Sequence, residues 1–256
     1  MNADTSKAAQ LNLAQAFLLL ATNDTTGKPE VPVFALRTTV AGAILAELDL
    51  LGAIELQGKR VRATGITPET DFQHELEVIR GKSRTHTPRG WVSMLEGRAE
   101  VQRVYEGLAS QGIVEHVGEK HLGRFRGVRY PEKDHAPEAS LVEKIQAALS
   151  GPPSDLEVPE TAADAGTTDA GTADAMASES TKPEGGAPAA KQVVTAPDDR
   201  TTVLIALLQA AGLLGKLFPE ADLTRADELV KDYWPARAVE DELRLIRLAE
   251  QEAATL

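Results

Sequence analysis

A helix, a stop and a two-stranded hairpin are written into residues 39–65, TVAGAILAELDLLGAIELQGKRVRATG. Val40, Ala41, Ile44, Leu45, Leu48 and Leu51 recur at helical spacing and make an apolar face. Leu45 and Leu48 belong at its buried centre. Thr38 or Thr39 suits the helix start as a cap, and Gly52 suits a left-handed residue at its end. Ala53 to Leu56 then alternates like a half-buried strand, Gln57-Gly58-Lys59 makes a turn, and Arg60 to Thr64 returns. The pattern recurs: a helix over 98–111, a stop at Gly112, a strand over 113–117 and a turn opening at Gly118. The chain therefore reads as a mainly α-helical bundle with small β-hairpins, built on two helix–hairpin units within a single domain.

The remaining helices follow from the same periodicity. Residues 11–21 form an apolar helix, and 23–29 form a turn-rich loop. Residues 30–36 read either as an extended segment or as the lead-in to the organising helix. Thr70 caps a helix that places Phe72, Leu76 and Ile79 on one face, with Asp71, Glu75 and Glu77 on a polar one. Pro88 opens a short helix carrying Trp91, Val92 and Leu95, and Pro137 opens one over 137–149. Asp198-Asp199 caps an apolar helix over 201–217, and two more follow over 223–231 and 236–252. On the last, Asp241 and Glu242 against Arg244 and Arg247 read as a solvated face.

Residues 152–197 differ in kind. They are Ala, Thr, Asp, Gly, Glu and Pro with a near-repeat, DAGTTDAGTADA. Over 151–199, ten acids face two lysines, a local charge of −8 within a total of −12. So polar a stretch cannot bury enough apolar surface to offset its ordering entropy, and it reads as a disordered acidic linker or insertion. Residues 1–151 and 198–256 are then the two parts of one helical domain, mildly acidic in itself.

Cysteine is absent, which excludes disulfides, thiol nucleophiles and thiolate metal sites. Residues 203–218 are the most apolar run, yet fall short of the roughly 20 residues that a membrane-spanning helix requires. No signal peptide stands at the start, so the expected location is cytoplasmic, at most peripheral on the cytoplasmic face of a membrane. His74, His86, His116, His121 and His135 form no HExxH, and GxSxG and GxxxxGK[ST] are missing. His116 and His121 with Glu115 and Glu119 read as solvated hairpin residues rather than a metal site. Neither catalysis nor a cofactor is expected. A winged-helix DNA-binding regulator is a competing reading, with Lys59-Arg60-Val61-Arg62 as the wing. The helix over 40–51 argues against it: it has no Lys or Arg and carries Glu47 and Asp49.

Residues 121–131, HLGRFRGVRYP, alternate basic with apolar and aromatic residues and read as a strand or hairpin. Guanidinium groups suit phosphates, and aromatics suit the bilayer interface. The plainer alternative is an edge strand whose charges face water.

Taken in order, LNLAQAFLLLATNDTTGKP, AGAILAELDLLGAIEL, TPETDFQHELEVIRGK, PRGWVSML, GLASQGIVE, RYPEKD and TTVLIALLQAAGLLGKLFP resemble the Golgi phosphoprotein 3 family. The cysteine-free, Ala- and Arg-rich chain is similar to a bacterial member. The resemblance implies a single, mainly helical domain with small hairpins, and no enzyme. The family's eukaryotic members are peripheral membrane adaptors that bind phosphatidylinositol 4-phosphate, insert a hairpin into the bilayer and retain glycosyltransferases. Their headgroup pocket uses a Trp and three Args. The matching positions here are Pro32, Ala41, Arg98 and Val101, so one of the four is retained. Arg37 and Arg103 lie nearby as substitutes. The resemblance thus implies Arg98, Arg103 and Arg37 as headgroup-binding residues, and Arg124, Phe125, Arg126, Val128, Arg129 and Tyr130 as the membrane-contacting hairpin. The expected partners are an anionic phospholipid surface and a protein client or second copy, with no nucleic acid. A protein-interaction scaffold without lipid binding is the other alternative.

Removing residues 157–193 tests the reading of the acidic stretch. The thermal midpoint of the deletion variant should stay within a few degrees of the full chain, because few apolar side chains are lost. A large drop in a thermal melt would show that the segment packs on the domain.

Overall fold

A computed structural model describes residues 11–121, 124–150, 198–231 and 233–254, with the side chains of 119–127 outside that description. The acidic stretch over 152–197 lies outside the described residues. The described residues before and after it belong to one compact unit.

The axis of that unit is α2 (Val33–Leu50), whose 35–48 stretch is buried with the sole exception of Arg37. A one-sided apolar face was expected. Instead Ala41, Gly42, Ala43 and Ala46 keep the other sides small enough for neighbours to pack all round. Leu45 and Leu48 are fully buried. The neighbours are α1 (Leu13–Leu20), α4 (Pro88–Leu95), α5 (Arg98–Ser110), α7 (Asp199–Ala210) and α10 (Trp234–Ala254). The helix begins seven residues before the expected start at Val40, with Pro32 at its N-cap. Thr38 and Thr39 are therefore interior, fully buried residues rather than caps. Such a helix cannot lie in a nucleic-acid groove, so α2 is not the recognition helix of a winged-helix domain.

Gly52 ends α2 at φ 66°. Its N–H donates to Asp49 O at 2.8 Å, and the Ala53 N–H donates to Leu48 O at 2.9 Å, a complete Schellman motif. α5 ends the same way at Gly112 (φ 76°), with bonds from Gly112 N to Ala109 O and from Ile113 N to Leu108 O. α7 does so again at Gly212 (φ 73°), with Gly212 N to Gln209 O and Leu213 N to Leu208 O. The expected single helix over 201–217 is thus two, α7 and the short α8 (Leu214–Leu217).

After α2, β1 (Ile54–Gln57) and β2 (Arg60–Ala63) pair antiparallel across a tight turn at Gly58-Lys59. Ile54 and Val61 point inward, and α3 (Gln73–Gly81) leans on β2. Phe72, Leu76 and Ile79 are buried as expected, but α3 starts at Gln73 and Thr70 only supports the approach to it. Thr87 caps α4, and Trp91 is buried beneath it. The second helix–hairpin unit is looser than the first. Ile113 and Val114 are buried, with Val114 bridging Glu132, and β3 (Val117–His121) begins only afterwards. Gly118 is paired with Val128 inside the ladder with β4 (Arg124–Arg129) and opens no turn. Between Gly118 and Lys120 the register shifts, so that two steps on β3 match three on β4, a bulge.

α6 (Ala136–Ser150) buries Ile145, Ala148 and Leu149 and packs on α7 and α1. α9 (Leu223–Leu229) is tied to it by Arg225 Nε, which donates to Ala148 O at 2.8 Å. On α10, Glu242 is not solvated: it is buried and accepts from Arg89 Nη1 of α4 at 3.1 Å.

α2 packs on α10 tightly enough that a Cβ at Gly42 would overlap the Val239 side chain. Gly42→Ala gains helix propensity of about 1 kcal/mol but should still lower stability, since overpacking costs about 1–3 kcal/mol. Val239→Ala in the same chain should recover part of the loss. Denaturant unfolding of the four proteins of this cycle checks it; simple additivity would show that the two residues do not meet.

Candidate functional site

The three arginines expected at a headgroup site come from the N-terminal half of α2 and the first turns of α5. Arg37 is half-buried on α2, where its charge acts on Glu96 at the end of α4. Glu96 is pushed above the usual carboxylate range, chiefly by burial, against a hydrogen bond donated by Thr38 Oγ1 at 2.8 Å. Arg98 is exposed at the start of α5. That helix has Gly97 at its N-cap and no side-chain cap there. The Glu100 carboxylate folds back over Gly97, filling the space a Cβ would need. The positive helix end thus faces the protein's own carboxylate. Arg37 and Arg98 are accordingly set among Glu96 and Glu100, not in an open basic pocket.

Arg103 has a different task. It pairs with Glu75 of α3, a carboxylate only 1% exposed. Two expectations are corrected together. Glu75 is no part of a solvated helix face, and Arg103 is engaged in neutralising it, because a buried carboxylate without a partner costs several kcal/mol. Asp71 and Glu77 do face solvent, taking Asn12 Nδ2 at 2.8 Å and Arg80 Nη1 at 2.9 Å. At the remaining matched positions Pro32 is exposed, Ala41 is fully buried and Val101 packs against the core, so none offers a donor.

The arginine-rich hairpin is β3–β4, whose substantial contacts are internal to it. The side chains of Arg124, Phe125 and Arg126 lie outside the described residues. Val128 is 44% exposed, and Arg129 is half-buried. Tyr130 is a third correction. Rather than facing a membrane, it is buried and stacked on Tyr105 with ring centroids 4.2 Å apart and planes 1° apart. Its hydroxyl donates to Glu106 Oε1 at 3.3 Å, and its N–H to Gly27 O at 3.0 Å. Tyr105 in turn shares a 2.7 Å hydrogen bond with Thr22. Burial pushes both phenols up to about 12. His116 Nδ1 lies 3.2 Å from Glu106 Oε1 and shares no cluster with other metal-binding groups among the described residues.

Sequence reasoning missed a cluster beside this hairpin base. Asp24, Glu132 and His135 place one ligand atom each within 4.8 Å of one another. Glu138, from the first turn of α6, approaches both carboxylates, and burial plus their repulsion raises it to about 8. The signal was present in RYPEKDHAPE, which puts two acids and a histidine at three-residue spacing, but Asp24 lies more than a hundred residues away.

Among protein families, the Golgi phosphoprotein 3 (GPP34) model matches residues 13–246. The chain belongs to the Golgi phosphoprotein 3 family. No curated protein matches it. For this family member, no described helix is long and apolar enough to cross a membrane.

Arg103→Ala separates structure from binding. It should lower stability by about 2 kcal/mol, less than for a fully buried pair because Arg103 is 44% exposed. Adding Glu75→Gln should restore most of that. An Arg103→Ala protein of unchanged stability in urea unfolding would release Arg103 for a role at the surface.

Proposed function

We propose that this family member is a peripheral adaptor that docks on anionic phospholipid headgroups at the cytoplasmic face of a membrane, with the β3–β4 hairpin as the contact. One observation carries the reading: β4 brings three arginines and an exposed Val128 together on one strand of a hairpin. Family membership supports it, since the eukaryotic members bind phosphatidylinositol 4-phosphate and use a hairpin at the bilayer. The supporting charge is Arg98, and Arg37 to a lesser degree. Arg103 and Tyr130 are withdrawn from the contact by Glu75 and Tyr105. With Pro32, Ala41 and Val101 in the pocket positions and Glu96 and Glu100 beside Arg98, recognition rests on charge and not on one headgroup. The role is binding and recruitment of a protein client, not catalysis.

Liposome cosedimentation tests this. Each basic group near an anionic surface contributes about 1 kcal/mol, so Arg124→Ser with Arg126→Ser should weaken binding by roughly 30-fold. Raising salt should weaken it too, as exposed charges are screened over about 8–10 Å. Phosphatidylinositol 4-phosphate should hold little advantage over phosphatidylserine vesicles of equal charge. Equal sedimentation of wild type and double variant overturns the hairpin as the contact. Failure of both to bind anionic vesicles overturns the membrane reading in favour of a protein scaffold.

A further inference from the structure

The carboxylate–imidazole cluster at the hairpin base has no part in headgroup binding, yet it is built. Asp24 comes from the loop after α1, Glu132 and His135 from the segment between β4 and α6, and Glu138 from the first turn of α6. The backbone fixes their approach before any ligand arrives. Glu132 N donates to Asp24 O at 2.8 Å, and Tyr130 N donates to Gly27 O at 3.0 Å. The Asp24 loop is itself closed by Asn23, whose Oδ1 accepts from Thr26 N at 2.9 Å and whose O accepts from Gly27 N at 2.8 Å. Gly27, at φ 64°, lets this loop lie against the backbone of Tyr130 and Pro131, where any Cβ would overlap.

A second observation points to a ligand. The Glu132 side chain is 2% exposed, and its Oε1 is buried without a hydrogen-bond donor. Its Oε2 meets His135 Nδ1, while the groups acting on it are otherwise the Asp24 and Glu138 carboxylates. Three acids gather around one imidazole: Asp24 repels the Glu132 carboxylate, while Glu138, raised by burial and by its neighbours, keeps its proton and hydrogen-bonds to Glu132, a proton that a bound cation would displace. Asp24 and His135 are exposed, with the His135 side chain 70% so, which gives an ion a way in.

We propose that Asp24, Glu132 and His135, with Glu138 as a further carboxylate, bind a divalent transition-metal cation of the Zn²⁺ or Mn²⁺ class. Carboxylate oxygens with one imidazole nitrogen suit these ions, whereas Ca²⁺ and Mg²⁺ favour all-oxygen shells. Bound there, the cation joins the loop over 23–29 to the base of the hairpin and stabilises the native state by mass action. The site is independent of lipid binding.

The test uses the full chain, stripped with EDTA and dialysed, with Zn²⁺ or Mn²⁺ titrated by calorimetry and thermal melts run alongside. One ion per chain and a raised thermal midpoint are expected, with Ca²⁺ much weaker. His135→Gln and Asp24→Asn alter exposed side chains and should fold normally by circular dichroism. Each should weaken binding by more than about tenfold, since even outer-shell changes cost 10–100-fold at metal sites. His116→Gln should bind as wild type does. Absence of uptake by the stripped wild type, or equal affinity in His135→Gln, overturns the proposal.

Discussion

A carboxylate in the last turn of a helix that is buried on almost every side has to be neutralised, and the way Glu47 is neutralised decides which parts of the chain close on one another. Glu47 Oε2 accepts from the Leu13 N–H at 2.8 Å, so it serves one of the unpaired donors in the first turn of α1. Arg200 then grips the same carboxylate through both terminal nitrogens, at 3.0 and 2.8 Å, and donates to Leu11 O at 3.0 Å. One contact therefore binds the chain's beginning, its axis and the first helix after residues 152–197. Without α7, Glu47 would be buried with no countercharge, a loss of several kcal/mol. The later helices thus complete a site that the earlier ones leave unstable, whatever the length or composition of the stretch between them.

The helix ends show what a sequence of this kind makes legible. Gly52 and Gly112 were readable as stops because a hydrophobic residue precedes each by four positions and another follows directly. Leu48 and Ala53, and Leu108 and Ile113, are the pairs that close the two motifs. Gly212 has the same surroundings in Leu208 and Leu213, and it stops α7 in the same way. It was passed over because the apolar run continues to Phe218, and continuous hydrophobicity masks a break when every side is buried. The true start of α2 was hidden for another reason: it has no polar side-chain cap, and the two threonines that resemble caps sit inside the helix. Periodicity identified the elements, and their boundaries depended on backbone hydrogen bonds that hydrophobicity does not encode.

At the candidate site the residue types were legible and their pairings were not. Arg103 and Glu75 are 28 positions apart on different helices, so nothing local distinguishes this arginine from Arg98. Tyr130 ends an arginine–aromatic alternation, and alternation assigns it to the same surface as its neighbours. Its actual partner, Tyr105, lies on α5 and captures the ring by stacking. Glu100 over Gly97 is local, three residues apart, and could have been read as a helix-end interaction that competes with an external anion. The general reason is that sequence reports where charge is, while a binding surface depends on which charges are left over after the fold has used the rest.

The base of the hairpin shows how that remainder can act. Val128 is exposed and Tyr130 is buried, so the chain passes from surface to core within three residues. On the inner side the Tyr130–Tyr105 stack, the Gly27 carbonyl, the Val114–Glu132 bridge and the Asp24–Glu132 hydrogen bond hold this transition in place. A surface element anchored this way pays little to be oriented when it meets a partner. The ordering cost is confined to outward side chains, at about 0.5–1.5 kcal/mol for each one immobilised. A few arginines contributing about 1 kcal/mol each at an anionic surface leave a small net gain only if the backbone carrying them is already fixed. Under the proposed function, Tyr130 therefore serves the contact from the inside, by fixing the backbone that carries the arginines.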